Sequence, residues 1–124
     1  MKKGEIYFAN LDPTVGSEIR KTRPVLIVSN DKNNKHHTLI TVVPLTSQIA
    51  RVYPFEVLLI QEDSNLLKDS KAQCNQIRTI SKERLIGQKP AGKITDAMMK
   101  MHCRYGVHAY KKNYDIVDQV ICQS

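Results

Sequence analysis

The sequence predicts a small, mainly β domain: a partly closed barrel with helical additions toward its C-terminus. Three observations carry that expectation. Short segments rich in β-branched and aromatic residues recur through the first two-thirds of the chain, separated by Pro, Gly, Asn and Asp. One of them, Val25-Leu26-Ile27-Val28, is apolar at every position, as a strand buried on both faces would be. After Thr95 the apolar spacing changes to threes and fours, the period of a helix.

Taken in order, Glu5-Ile6-Tyr7-Phe8-Ala9 reads as a strand that stops at the turn signature Asn10-Leu11-Asp12-Pro13. A long polar loop follows to Arg23, with Val15 and Ile19 its only bulky apolar residues. Loops of that length in a compact domain usually serve function. Pro24 has no backbone donor and a pre-set φ, so it suits the first position of the central strand Val25–Val28. The polar stretch Asn30 to His37 reads as a turn, and Thr38 to Val43 as a strand returning in a hairpin. Tyr53 to Ile60 and Ala72 to Ile80 read as two further strands, and Ser81 to Leu85 as a short helical turn. Thr95 is a good N-cap with Asp96 in the first turn, and Met98, Met101, Tyr105 and Ala109 form one apolar stripe. Gly106 weakens that helix by up to about 1 kcal/mol relative to Ala. Ile116, Val117, Val120 and Ile121 suit a short amphipathic helix in the tail.

With 124 residues there is room for one hydrophobic core. The expected division is a functional domain over 1–112 and a tail over 113–124. Hydrophobic residues make up 41% and charged residues 25%, ordinary for a globular protein, and no apolar run approaches the roughly eighteen residues of a membrane span. The basic start, Met1-Lys2-Lys3, is followed by Glu5 rather than an apolar stretch, so a secretory signal is not expected and the cytoplasm is. Cys74, Cys103 and Cys122 are odd in number and read as reduced, buried thiols. Nineteen Lys and Arg against twelve Asp and Glu give a net charge of +7, which favours a polyanionic partner. Arg20, Lys21 and Arg23 form the densest basic cluster.

Two of the strands carry chemistry at their ends. Arg23 stands at the entry of one, and Thr46 just past the exit of the next, so the two can converge on one cleft. A planar guanidinium and a hydroxyl suit a phosphodiester. Metal-free RNA cleavage needs a clamp for the charge building on phosphorus, a proton acceptor and a proton donor. Arg23 can clamp, yet it holds its proton too firmly to act as a base, and Thr46 can donate to a phosphate oxygen. The base stays unassigned. His36, His37, His102 and His108 have no spacing suited to a shared metal, and no Cys/His set has zinc-site spacing. The bland alternatives are specific too: Thr46 as a turn hydroxyl on its own backbone, Ser17 and Glu18 as loop-shaping residues, and Gln48, Gln76 and Arg78 as polar residues of a strand edge.

Four separated segments, in the same order, resemble the MazF/PemK-type toxins, bacterial ribonucleases that cut single-stranded RNA. They are Gly16-Ser17-Glu18, Arg23-Pro24 with Thr46 after the next strand, Tyr53-Pro54-Phe55-Glu56-Val57, and Asn75-Gln76 followed by Ile77-Arg78. The match runs from about Gly4 to Tyr105. The resemblance implies a small SH3-like, partly open β-barrel plus a C-terminal helix. It implies an endoribonuclease without cofactor or metal that leaves a 2′,3′-cyclic phosphate and a 5′-hydroxyl on mRNA. Arg23 and Thr46 would be the catalytic pair, and Ser17, Glu18, Arg20, Gln48, Asn75, Gln76 and Arg78 would bind substrate, reading unstacked bases by hydrogen bonds. A homodimer and a cognate antitoxin with an acidic segment are implied as partners, and no membrane. Many family members carry Asp or Glu where this chain has Asn75. A non-enzymatic toxin of the same fold that inhibits DNA gyrase is the alternative, and a binding module without cleavage a third.

Overall fold

The structure, a computed structural model, describes residues 1–11 and 22–94. Eight strands form one curled antiparallel sheet: β1 (Glu5–Asn10), β2 (Thr22–Ile27), β3 (Leu39–Thr46), β4 (Glu56–Leu59), β5 (Ser70–Gln73), β6 (Arg78–Ser81), β7 (Leu85–Ile86) and β8 (Gly92–Lys93). Among the described residues, two short helices, α1 (Asp31–His36) and α2 (Gln61–Ser64), and two 3₁₀ turns (Cys74–Gln76 and Lys82–Arg84) accompany the sheet. The central path runs β4-β5-β3-β2-β1-β7, with β6 also on β3 and β8 also on β1. The two long strands each share an outer edge between two short ones, and that curls the sheet into a half-barrel.

Alternation along the strands gives two cores. Leu26, Val43, Leu45, Val57, Leu59 and Ala72 pack on one side with Ile6 and Leu66. Tyr7, Val25, Ile27, Ile40, Val42 and Ile80 pack on the other. β2 is central and its Val25, Leu26 and Ile27 are fully buried, as an all-apolar strand requires. It pairs with β3 through Val25↔Pro44, Leu26↔Val43 and Ile27↔Val42.

Three expectations are corrected. The stretch between β2 and β3 is a helix, not a turn. Asn30 caps α1 by accepting from the Asn33 N–H at 2.8 Å, and the buried Asn34 side chain donates to the Ser29 carbonyl at 2.8 Å. The strand expected from Tyr53 begins only at Glu56, because Tyr53 to Glu56 closes a turn through Glu56 N–H to the Tyr53 carbonyl at 2.9 Å. The strand expected over Ala72 to Ile80 is two strands with a 3₁₀ corner between them. Both halves pair with β3, but the register stops at Val42↔Arg78 and resumes at Leu45↔Ala72. Val43 and Pro44 therefore face the longer run from Gln73 to Ile77, which buckles outward. Pro44 sits opposite that interruption, where a strand tolerates a missing donor.

The helix expected from Thr95, the tail after 112 and the loop holding Ser17, Glu18 and Arg20 lie outside the described residues. Among the described residues no helix is long and apolar enough to cross a membrane.

Candidate functional site

One face of the sheet is apolar at one end and polar at the other. Directly paired residues share a face and alternate residues return to it. By that rule Arg23, two residues from Val25, lies on the face of Val25, Ile27 and Val42. Thr46 is on it as well, and its partner Lys71 with it. Gln73 and Glu56 follow as a paired couple next along. Carrying the β2–β3 register two residues beyond Val25↔Pro44 brings Arg23 level with Thr46.

Arg23 is exposed, and its guanidinium donates from Nη1 to Gln73 Oε1 at 3.2 Å. Among the described residues that one bond leaves most of its five N–H donors available. Backbone pairing of Arg23 with Ala9 of β1 holds its root in the sheet interior while the side chain reaches the edge. Thr46 is half-buried at the last position of β3, and its Oγ1 accepts the Gln48 N–H at 3.2 Å. The turn role is thus real, and it leaves the hydroxyl proton to point elsewhere. Gln48 is exposed beside it.

Asn75 and Gln76 are exposed on the 3₁₀ corner, directly after Gln73. Arg78 pairs with Val42 and so shares the face, about 13 Å along β3 from Thr46. Arg23, Thr46 and Arg78 thus share a face, while Asn75 and Gln76 cap its border. Gln73 stands out only in three dimensions: it is a residue of a polar strand until the register puts it beside Arg23.

At the polar end of this face lies a buried ion pair. Lys71 Nζ is 2.9 Å from Glu56 Oε1, with both side chains nearly inaccessible. The same ammonium donates to the Arg51 carbonyl at 2.7 Å, and Glu56 Oε1 also accepts the Tyr53 N–H at 3.0 Å. These bonds satisfy two charges that burial alone would penalise severely. They also tie down the loop that follows Thr46. Cys74, at the start of the corner, is buried, and burial with the nearby Glu56 charge pushes its thiol up to about 12. It stays protonated and is no nucleophile.

Among the described residues no group of three or more His, Cys, Asp and Glu could hold a metal ion. The face offers a cation, hydroxyls and amides, a set that binds a phosphodiester and the edges of bases.

Residues 2–104 match the family model described as PemK-like, MazF-like toxin of type II toxin–antitoxin system. The chain is 45% identical over 114 residues to Endoribonuclease MazF9 of Mycobacterium tuberculosis, covering 82% of this chain and 95% of that one. It is 40% identical over 86 residues to Endoribonuclease EndoA of Bacillus subtilis, covering 68% and 74%. Among solved structures it resembles the Mycobacterium tuberculosis toxin MazF-mt6, with TM-score 0.70, 25% identity and 86% and 96% of the two chains covered. MazF from Deinococcus radiodurans shares the fold at TM-score 0.71 and 21% identity, over 90% and 96%.

Proposed function

The chain belongs to the family of PemK-like, MazF-like toxins of type II toxin–antitoxin systems, and from that premise we propose how it cuts RNA. It is an endoribonuclease, the activity for which its curated relatives are named. Those names set aside the gyrase-directed alternative.

The cut proceeds by attack of the 2′-hydroxyl on the adjacent phosphorus, its proton passing to water, while the P–O5′ bond breaks and the 5′-oxygen takes a proton from water, leaving a 2′,3′-cyclic phosphate and a 5′-hydroxyl. Arg23 clamps the non-bridging oxygens as charge builds on them and is the main source of transition-state stabilisation. Thr46 Oγ1 donates to the same phosphate. Glu56 takes no part as base, because its carboxylate is buried on Lys71 and the Tyr53 N–H. Gln48, Asn75 and Gln76 read bases by hydrogen bonding, and Arg78, a full strand segment away, serves a neighbouring nucleotide. Ser17, Glu18 and Arg20 approach the substrate from the loop before β2. Asn75 contributes an amide where an acidic group is common in the family, and it hydrogen-bonds a base edge. No cofactor is required.

What supports this reading is the shared face of Arg23 and Thr46, with the guanidinium exposed and held by Gln73. The working unit is residues 1–112, acting in the cytoplasm as a homodimer. A cognate antitoxin silences it by laying an acidic segment over the basic surface and folding there. Both RNA and antitoxin binding weaken with salt.

The test is incubation of the purified protein with a long single-stranded RNA in excess EDTA, followed by mapping of fragment ends. Discrete cuts with cyclic-phosphate ends are expected. Intact RNA overturns the reading, and so does an Arg23→Ala variant that cuts at the wild-type rate.

A further inference from the structure

The loop after Thr46 carries a feature that phosphate clamping does not use. Tyr53 and Phe55 stack with ring centroids 5.4 Å apart and planes 2° from parallel. Pro54 between them fixes a turn that brings alternate residues onto one side. The Arg51 guanidinium lies over the Tyr53 ring at 5.7 Å, and among the described residues its side-chain bond is a long one of 3.4 Å from Nη1 to the Tyr53 hydroxyl. Lys71 Nζ is 5.6 Å from the same ring centre. Tyr53 nevertheless keeps 42% of its surface exposed, and Arg51 is exposed too.

An aromatic side chain that serves only packing would be covered. This one has Phe55, Arg51 and Lys71 against its ring, keeps much of its surface exposed, and has its backbone anchored from below. The anchor is the Lys71–Glu56 pair, which bonds the loop at the Arg51 carbonyl and at the Tyr53 N–H. Lys71 is in turn the direct β-partner of Thr46. The layered rings and the proposed phosphate-binding hydroxyl are therefore mounted on the same residue. Single-stranded RNA is bound through such layers, its splayed bases stacking on aromatic rings and on Arg guanidinium planes.

We propose that Arg51 and Tyr53 form a stacking shelf for one nucleobase next to the cleaved linkage, with Lys71 and Glu56 as positioning residues beneath it. This rests on the ribonuclease reading and adds to it a base-stacking subsite. The base stacks against the exposed part of the Tyr53 ring and the Arg51 guanidinium, with Phe55 stacked on Tyr53 as backing. Stacking tolerates any base, so the shelf supplies affinity and alignment, while hydrogen bonds elsewhere choose the RNA word.

The test uses short RNAs built around one mapped cut, each with a single abasic nucleotide at a position flanking the linkage. At one flanking position the abasic change should lower the wild-type kcat/KM about tenfold or more. Tyr53→Ala should cut the intact and that abasic RNA at nearly equal rates. Arg51→Ala should show a reduced difference, and Tyr53→Phe should restore the wild-type one. Tyr53→Leu keeps apolar contact with Phe55 but offers no π-face, so it should behave as Tyr53→Ala even if the alanine variant folds poorly. A shelf that merely stiffens the loop would slow all substrates alike and leave the abasic penalty intact in Tyr53→Leu. That result, or no abasic penalty in the wild-type enzyme, overturns the shelf while the ribonuclease reading stands. Failure of wild-type protein to cut any RNA overturns both.

Discussion

Arg23 and Gln73, fifty positions apart, meet through a 3.2 Å hydrogen bond at the polar end of the sheet. The bond uses one donor of an exposed guanidinium and aims it along the face that carries Thr46. Gln73 is thus a positioning residue for Arg23. Gln73→Ala should lower kcat/KM by about two- to tenfold, the worth of one ordinary hydrogen bond. Arg23→Ala should abolish detectable cleavage. Gln73→Glu should be worse than Gln73→Ala, because a carboxylate would hold the guanidinium away from phosphate. Steady-state kinetics on one cleavable oligonucleotide would rank the three.

Under the proposed mechanism, Thr46 combines a structural and a chemical task on one oxygen. Thr46→Ser keeps both and should retain most activity. Thr46→Ala loses a hydrogen bond to a charged phosphate, a loss of about ten- to hundredfold in kcat/KM. It should also loosen the Gln48 turn slightly, visible as a small fall in melting temperature.

Lys71→Met would leave the Glu56 carboxylate buried without its ammonium. The expected cost is about 3–5 kcal/mol in urea unfolding. A Lys71→Met, Glu56→Leu double variant should recover much of that stability, yet cut RNA poorly, because the loop from Arg51 to Tyr53 loses both anchors. Recovery of stability without loss of activity would remove Lys71 and Glu56 from the positioning role.

Gly92 is required by contact and not by backbone angle. A Cβ there would lie 2.3 Å from the Ser64 carbonyl oxygen and 3.2 Å from the Leu66 side chain. Gly92→Ala must push β8 off α2 and should cost about 1–3 kcal/mol. Gly87, at φ +88° with no crowding neighbour, should suffer from Ala only through backbone strain. Chemical denaturation of both variants separates the two causes.

The Cys74 thiol gives a stability signature at alkaline pH. Its folded value is raised to about 12 from an ordinary 9.0, so the unfolded chain releases this proton first. Stability should therefore be unaffected by this group below about pH 9 and fall as pH rises from there toward 12. Tyr7, also raised by burial and by Glu5, adds to the fall only above about pH 10. Cys74→Ala should flatten the slope of melting temperature between pH 9 and 10. Native protein should resist alkylation at Cys74, read by peptide mass mapping.

Much of the sheet was legible from local pattern. The apolar run Val25–Val28 and the β-branched run before Val43 are strong signals, and they do form the paired centre. Thr46 at a strand exit and Arg23 before Pro24 followed from the same pattern. What escaped depends on partners distant in sequence. The corner at Cys74–Gln76 exists because β5 and β6 both need the edge of β3, and nothing within residues 72–80 announces that competition. Helix α1 escaped because it is polar throughout and is held by Asn30 and Asn34, residues that read equally well as turn formers. β7 and β8, two residues each, are strands only because β1 offers them an edge. Gln73 meets Arg23 by register and Arg51 meets Tyr53 by ring contact, relations that spacing along the chain does not encode.

The Arg23–Gln73 span also bears on biosynthesis. During translation the guanidinium emerges long before its glutamine, and β3 has no outer partner until residues 70–81 have been made. A nascent fragment ending near Thr46 would hold both phosphate-binding groups on an unsupported hairpin, too poorly shaped to cut the message still being read. The face would thus be completed late, only once residues 70–81 have joined β3.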